Sequence, residues 1–311
     1  MKPNHQFLGI IPPMITPLNP DLSLDVDHTE RLMDYLVEGG IHGLFILGTT
    51  GEFAGICQDV KSDLIRLTCR KAGSKIPVLV GITGCSLVES LDLASIAKDS
   101  GAAALVAAPP FYMNIGQEEL QAYYLQLADS VDLPLMLYNM PSHTKMRIEI
   151  KTVEALSKHP NIIGIKDSSG DLAYFQDLCE KFRESSEFRI FVGPEEVLAS
   201  TLKMGGHGGV TGGANLFPKL YVQAYEAFRS GDQSLLEKLQ EAILFLSEKL
   251  YQNATYKSSY LKGLKAAMSF EGLCKGILAP PLTAYAEEEK ALLKENFLEV
   301  KNRVSQVLNP S

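Results

Sequence analysis

Short apolar runs, most of them closed by glycine, proline or a polar residue, alternate along the chain with longer stretches in which apolar positions recur at i, i+3, i+4 and i+7. The short runs are Gly9 to Ile15, Gly43 to Leu47, Pro77 to Gly81, Ala103 to Ala107, Pro134 to Tyr138, Ile162 to Lys166, Arg189 to Gly193 and Gly208 to Thr211. With so few polar residues inside them, they fit strands buried on both faces of a parallel sheet. The longer stretches, among them Asp27 to Glu38, Val60 to Lys71, Val88 to Ser100 and Glu118 to Ser130, fit helices. Asp25 and Asp27 stand where N-cap or first-turn acids favour the first helix, and Gly39-Gly40 supplies its stop. The alternation repeats about every 30 residues, the size of one strand–helix unit, and the pattern predicts a (β/α)8 barrel. A doubly wound open sheet has the same local pattern, but no G-x-G-x-x-G turn follows the first strand.

After Ala214 the pattern is wholly helical. Amphipathic stretches cover Lys219 to Arg229, Ser234 to Tyr251, Ser258 to Phe270 and Glu287 to Val307, with a proline-rich break at Ala279 to Leu282. The expected organisation is a barrel catalytic domain over residues 1–232 and a C-terminal helical extension over residues 233–311 packed on it.

Composition narrows the function. Of 311 residues, 46% are hydrophobic and 21% charged, enough apolar material for a large core. A net charge of −8 argues against a nucleic-acid or anionic-membrane surface, which needs clustered Lys and Arg. No apolar run approaches the ~18 residues of a membrane span, and prolines break the N-terminal segment where a signal peptide needs an apolar stretch, so a cytoplasmic protein is expected. The five cysteines are scattered without a C-x-x-C pair and the six histidines form no H-E-x-x-H or H-x-H pattern, so neither disulfides nor a protein-bound metal is expected.

A barrel builds its site at the C-terminal ends of its strands. There Lys166 ends an Ile-Ile-Gly-Ile run, where an ammonium either pairs with a carboxylate such as Asp167 or lies partly dehydrated as an amine able to attack a carbonyl. Thr49-Thr50-Gly51 offers two hydroxyls and approachable backbone N–H groups for a small carboxylate, or forms a tight turn capping the next helix. Tyr138 ends another strand, and its phenol either relays protons or anchors a core hydrogen bond. The run Gly205 to Gly213 holds a phosphate or lets backbone pass close to a ligand, and it lacks the G-K-[ST] ending of a P-loop.

Together, G-T-T-G-E at Gly48 to Glu52, Y-N-x-P at Tyr138 to Pro141, G-I-K-D at Gly164 to Asp167 and G-G-H-G-G at Gly205 to Gly209 resemble the dihydrodipicolinate synthase and N-acetylneuraminate lyase family, from about Phe7 to the C-terminal helices. The resemblance implies a class I aldolase or lyase in which Lys166 forms a Schiff base with pyruvate or another 2-oxo acid, Tyr138 shuttles protons, and Thr49 and Thr50 hold the carboxylate, without metal or organic cofactor. It implies that Gly193 and Val210 flank the bound acid, that Tyr112 enters a neighbouring subunit's site, and that the assembly is a homotetramer, a dimer of dimers. Where synthases of the family carry an arginine that grips aspartate semialdehyde, this chain has His143, which lacks the fixed guanidinium fork. Glu195 and Glu196 match the acidic pair that contacts sugar hydroxyls in the lyases, unless they serve as first-turn acids of a helix; Ser168 offers another hydroxyl. Lys145 stands where many relatives have glycine. The expected reaction is cleavage of a 2-oxo-3-deoxy sugar acid or 4-hydroxy-2-oxo acid to pyruvate and an aldehyde. Alternatives are 4-hydroxy-tetrahydrodipicolinate synthase, a deoxy-sugar-acid dehydratase and, outside the family, a phosphosugar-binding or inactive barrel.

Overall fold

The computed structural model describes residues 7–73, 75–252 and 255–309. Eight strands form where the apolar runs lie: β1 Gly9–Ile10, β2 Leu44–Ile46, β3 Val78–Gly81, β4 Ala104–Ala107, β5 Leu135–Asn139, β6 Ile162–Asp167, β7 Arg189–Val192 and β8 Gly208–Gly209. All neighbours are parallel, and the sheet runs β1-β8-β7-β6-β5-β4-β3-β2. The two ends of that order then meet. Phe45 N donates to Pro12 O at 3.0 Å and Met14 N to Phe45 O at 2.8 Å, a parallel bridge across Pro13 that closes the ring. An open sheet would leave both edges unpaired, so the fold is the expected barrel and not the doubly wound alternative.

β1 and β8 are shorter than the apolar runs that contain them. Pro12 and Pro13 have no N–H for the ladder, so regular pairing of β1 stops at Ile10, although Ile11 N still donates to Gly209 O at 2.9 Å. At the other end Val210 N reaches Val192 O at 2.8 Å before the chain tightens into a turn of 3-10 helix at Gly212–Asn215. The buried Asn215 amide spans the junction, donating to Pro13 O and Gly212 O at 2.9 Å each while its oxygen accepts from Ile15 N at 3.1 Å.

Alternation along the strands sorts the core into two faces. Phe45, Leu79, Val106, Met136, Tyr138, Phe191 and Val210 point into the barrel and pack together. Their neighbours Leu44, Ile46, Val80, Leu105, Leu137, Ile165 and Val192 point outward into the layer of helices. That layer contains α1 Val26–Glu38, α2 Gln58–Ala72, α3 Leu87–Asp99, α4 Gln117–Ser130, the single turn α5 Pro141–Thr144, α6 Ile150–Leu156, α7 Leu172–Lys181, α8 Leu198–Lys203 and α9 Pro218–Ser230. Asp25 caps α1 by accepting from His28 N, and Gly39 ends it.

Three more helices follow: α10 Gln233–Tyr251, α11 Ser259–Phe270 and α12 Glu287–Leu308. α10 packs against α9, α11 and α12, while α11 also touches the turn at Gly212–Asn215, at the C-terminal end of the barrel. Among the described residues, no helix is long and apolar enough to cross a membrane.

Candidate active site

The parallel register sets the floor of the site. Tyr138 stands opposite Lys166 across β5 and β6, and Lys166 opposite Phe191 across β6 and β7. Paired residues share a face, so the lysine projects into the barrel beside the phenol. Lys166 is 4% exposed, and its Nζ lies 4.1 Å from the Tyr138 ring centre and 5.2 Å from that of Phe45. Among the described residues, no carboxylate lies within ion-pair distance of it. Asp167, the carboxylate named as a possible partner, points the other way: it accepts from Asn139 Nδ2 at 2.7 Å and from Ser169 N and Oγ at 3.2 and 2.9 Å. Burial pushes the Asp167 carboxyl up, against those hydrogen bonds, which hold it down.

Thr49 and Thr50 lie beyond β2 on the same cavity wall. Thr49 Oγ1 is 3.1 Å from Tyr138 Oη, and Thr50 Oγ1 is 3.1 Å from Tyr260 Oη. α2 begins only at Gln58, so neither threonine caps it. Gly51 sits behind them, outside the cavity lining, with its carbonyl accepting from Thr16 Oγ1 at 2.6 Å. Leu47 and Glu52, at either end of this cradle, have left-handed backbone, with φ of 58° and 57°.

The cavity above Lys166 has a volume of about 730 Å³. Ser168 and Gly193 line it side by side, and any side chain at 193 would collide with the Ser168 hydroxyl, so glycine is required there. Val210 closes the floor on the β8 side. His143 lines the mouth with its Nδ1 3.0 Å from Ser142 Oγ. Burial, and after it the nearby Lys145 ammonium, pull the His143 pKa below its usual value, which favours the neutral imidazole and weakens it as an anion holder. Lys145 itself has φ 59°, the left-handed conformation that explains why glycine suits the position.

Glu195 and Glu196 line the cavity, but their carboxylates are already engaged. Glu195, 3% exposed, accepts from Gly213 N at 2.7 Å and Tyr221 Oη at 2.6 Å; Glu196 accepts from Ser247 Oγ at 2.5 Å. Burial, and then the neighbouring Glu196, push the Glu195 carboxyl from 4.5 up to about 7. Because Gly213 N is given to Glu195, the glycine-rich run braces the wall and does not present that N–H to a phosphate. Tyr112 lies outside the lining of its own cavity and is 85% exposed, between the exposed Phe111 and Met113. Sequence patterning did not find Thr83, whose hydroxyl accepts from Ala108 N at 2.9 Å, nor Tyr251, Lys257 and Tyr260 from the C-terminal segment, all of which line the cavity. A tyrosine in an amphipathic helix carries no mark of what its buried end meets.

Among the described residues, no cluster of His, Cys, Asp and Glu has the arrangement of a metal site. The family model for the Dihydrodipicolinate synthetase family matches residues 6–299. The 4-hydroxy-tetrahydrodipicolinate synthase of Ruthia magnifica subsp. Calyptogena magnifica is 32% identical over 96% of this chain and 98% of its own. Among solved structures, dihydrodipicolinate synthase from Bacteroides thetaiotaomicron is 42% identical, with a TM-score of 0.91 over 94% of this chain and 99% of that one. YagE from E. coli K12, a prophage protein of the dihydrodipicolinic acid synthase family solved with pyruvate, is 30% identical, with a TM-score of 0.89 over 95% and 99%. With motifs, barrel and cavity in agreement, the chain belongs to the dihydrodipicolinate synthetase family of carbon–carbon lyases.

Proposed function

We propose that the protein is a class I aldolase that cleaves a 4-hydroxy-2-oxo acid or 2-oxo-3-deoxy sugar acid, or condenses the products, through an imine on Lys166. The carrying observation is a buried lysine with no carboxylate partner among the described residues, 4.1 Å from the ring of a tyrosine that is itself bonded to Thr49. The Lys166 amine adds to C2 of the oxo acid, and the hydroxyl formed there takes the Tyr138 proton and leaves as water, giving an iminium that draws electrons from C3 and a Tyr138 phenolate. Thr49 and Thr50 hold the substrate carboxylate. The Tyr138 phenolate takes the proton of the C4 hydroxyl as the C3–C4 bond breaks, which releases the aldehyde and leaves an enamine. Protonation at C3 and hydrolysis of the imine then free pyruvate and the lysine. The chemistry needs no metal or organic cofactor. Ser168, His143, Gly193, Val210, Glu195 and Glu196 shape the remainder of the substrate site, the two carboxylates by bracing its wall.

A second reading, condensation of pyruvate with aspartate semialdehyde, is favoured by the 42% identity to the Bacteroides thetaiotaomicron synthase and by Lys257 at the cavity mouth, a cation for a distal carboxylate that His143 holds poorly. Steady-state kinetics separates the two. Pyruvate release from a panel of 4-hydroxy-2-oxo and deoxy sugar acids is expected to exceed condensation with aspartate semialdehyde in kcat/KM, and the reverse order selects the synthase. Free cysteines throughout suit a reducing cytoplasm, and the exposed Phe111-Tyr112-Met113 tip suits insertion into a neighbouring subunit of a homotetramer.

A further inference from the structure

Two separate contacts join α11 to the cradle between Leu47 and Phe53. The first is the bond from Tyr260 to Thr50. Tyr260 has a fixed place: its ring lies edge-on to Tyr251 at 4.9 Å, and its hydroxyl fills the space a side chain at Gly212 would need. The second is a buried ion pair between Lys265 and Glu52, each 1% exposed at the side chain. Lys265 Nζ also donates to Thr16 O at 2.8 Å and Ile277 O at 2.6 Å, and the second Glu52 oxygen accepts from Ala279 N at 2.7 Å. Thr16 closes the circuit by donating its hydroxyl to Gly51 O at 2.6 Å.

The cradle needs such support. Left-handed backbone at Leu47 and Glu52 is strained for residues with side chains, and it persists only where the surroundings hold it. The main-chain bonds of the cradle are few: Glu52 N to Thr49 O at 3.0 Å, Phe53 N to Gly48 O at a long 3.4 Å and Gly55 N to Glu52 O at 2.8 Å. We propose that α11 is the positioning element of the carboxylate cradle: Tyr260 aims the Thr50 hydroxyl, and Lys265, acting through Glu52, fixes the loop that carries Thr49 and Thr50. The C-terminal segment therefore sets affinity for the 2-oxo acid as well as stability. This rests on the reading that Lys166 binds a 2-oxo acid whose carboxylate lies on Thr49 and Thr50.

The test is a pyruvate titration of borohydride trapping on the whole protein, read by intact mass, beside thermal unfolding of the same samples. Tyr260→Phe removes one hydroxyl and is expected to raise the half-saturating pyruvate concentration about five- to tenfold, as loss of one hydrogen bond aimed at a carboxylate holder predicts, with full trapping at saturation and little change in Tm. Lys265→Met alone strands a buried carboxylate and lowers Tm, so the neutral double variant Glu52→Gln/Lys265→Met is its companion, with half-saturation still raised in a folded protein. Unchanged half-saturation in Tyr260→Phe and in the double variant, whatever their Tm, overturns the inference. No adduct in the unsubstituted protein at any pyruvate concentration removes instead the reading beneath it.

Discussion

Lys166 and Tyr138 come together because two chain segments share a register, and each then has a distinct task. Tyr138→Phe keeps the ring beneath the lysine and removes the proton carrier together with its bond to Thr49, so kcat is expected to fall by about 10²- to 10⁴-fold while borohydride still traps pyruvate on Lys166 at saturating pyruvate; loss of trapping at saturation in this variant would contradict the division of labour. Glu195 supplies a pH signature. Its folded pKa of about 7 lies above the ordinary 4.5, so the folded protein holds the proton more tightly than the unfolded chain does. The resulting stability is complete below about pH 4.5 and is lost as pH rises through about 7. Glu195→Gln should therefore flatten the fall in Tm between about pH 5 and 8, a difference on the order of 1–3 kcal/mol; parallel Tm curves would reject it. Lys166, Tyr138 and Thr49 were legible because each closes or follows an apolar strand. Glu52 was not recognised as a support, because its partner Lys265 lies 213 residues away in an ordinary amphipathic helix.

At the scale of elements, the junction of β5 and β6 carries the site. Asn139, fully buried, donates to Asp167 at 2.7 Å and accepts from Ile148 N at 3.1 Å, which locks the register that opposes Tyr138 and Lys166. Asn139→Ala takes one of its three hydrogen bonds from the buried Asp167 carboxyl and leaves the Ile148 N–H unpaired, and is expected to cost about 2–4 kcal/mol in denaturant unfolding; a loss under ~0.5 kcal/mol, the size of a neutral surface change, would show that the register does not depend on it. Period and composition located all eight strands and the long helices. They overstated β1 and β8, whose proline and glycine backbones pair irregularly, and they presented the last three helices as an appendage. Amphipathicity reports that a helix has a buried face, not which part of the fold it covers, so the entry of α11 into the cavity was invisible.

At the scale of the whole molecule, the cavity is lined by all of the candidate catalytic and substrate-binding residues except Gly51, which supports the cradle from behind, and Tyr112, which is 85% exposed. If Tyr112 acts in a neighbour's site, subunits lacking it and subunits lacking Lys166 should complement one another. Co-expressed Tyr112→Phe and Lys166→Ala chains are expected to form mixed assemblies more active than either variant alone, and activity no greater than the sum of the separate variants would place Tyr112 outside catalysis. Everything else depends on the imine. Incubation with pyruvate, reduction with borohydride and peptide mass analysis test it most directly: the account predicts a reduced pyruvate adduct on the peptide containing Lys166, absent from Lys166→Ala, whereas an unmodified Lys166 peptide with every 2-oxo acid tried, or an adduct on another lysine, would contradict it.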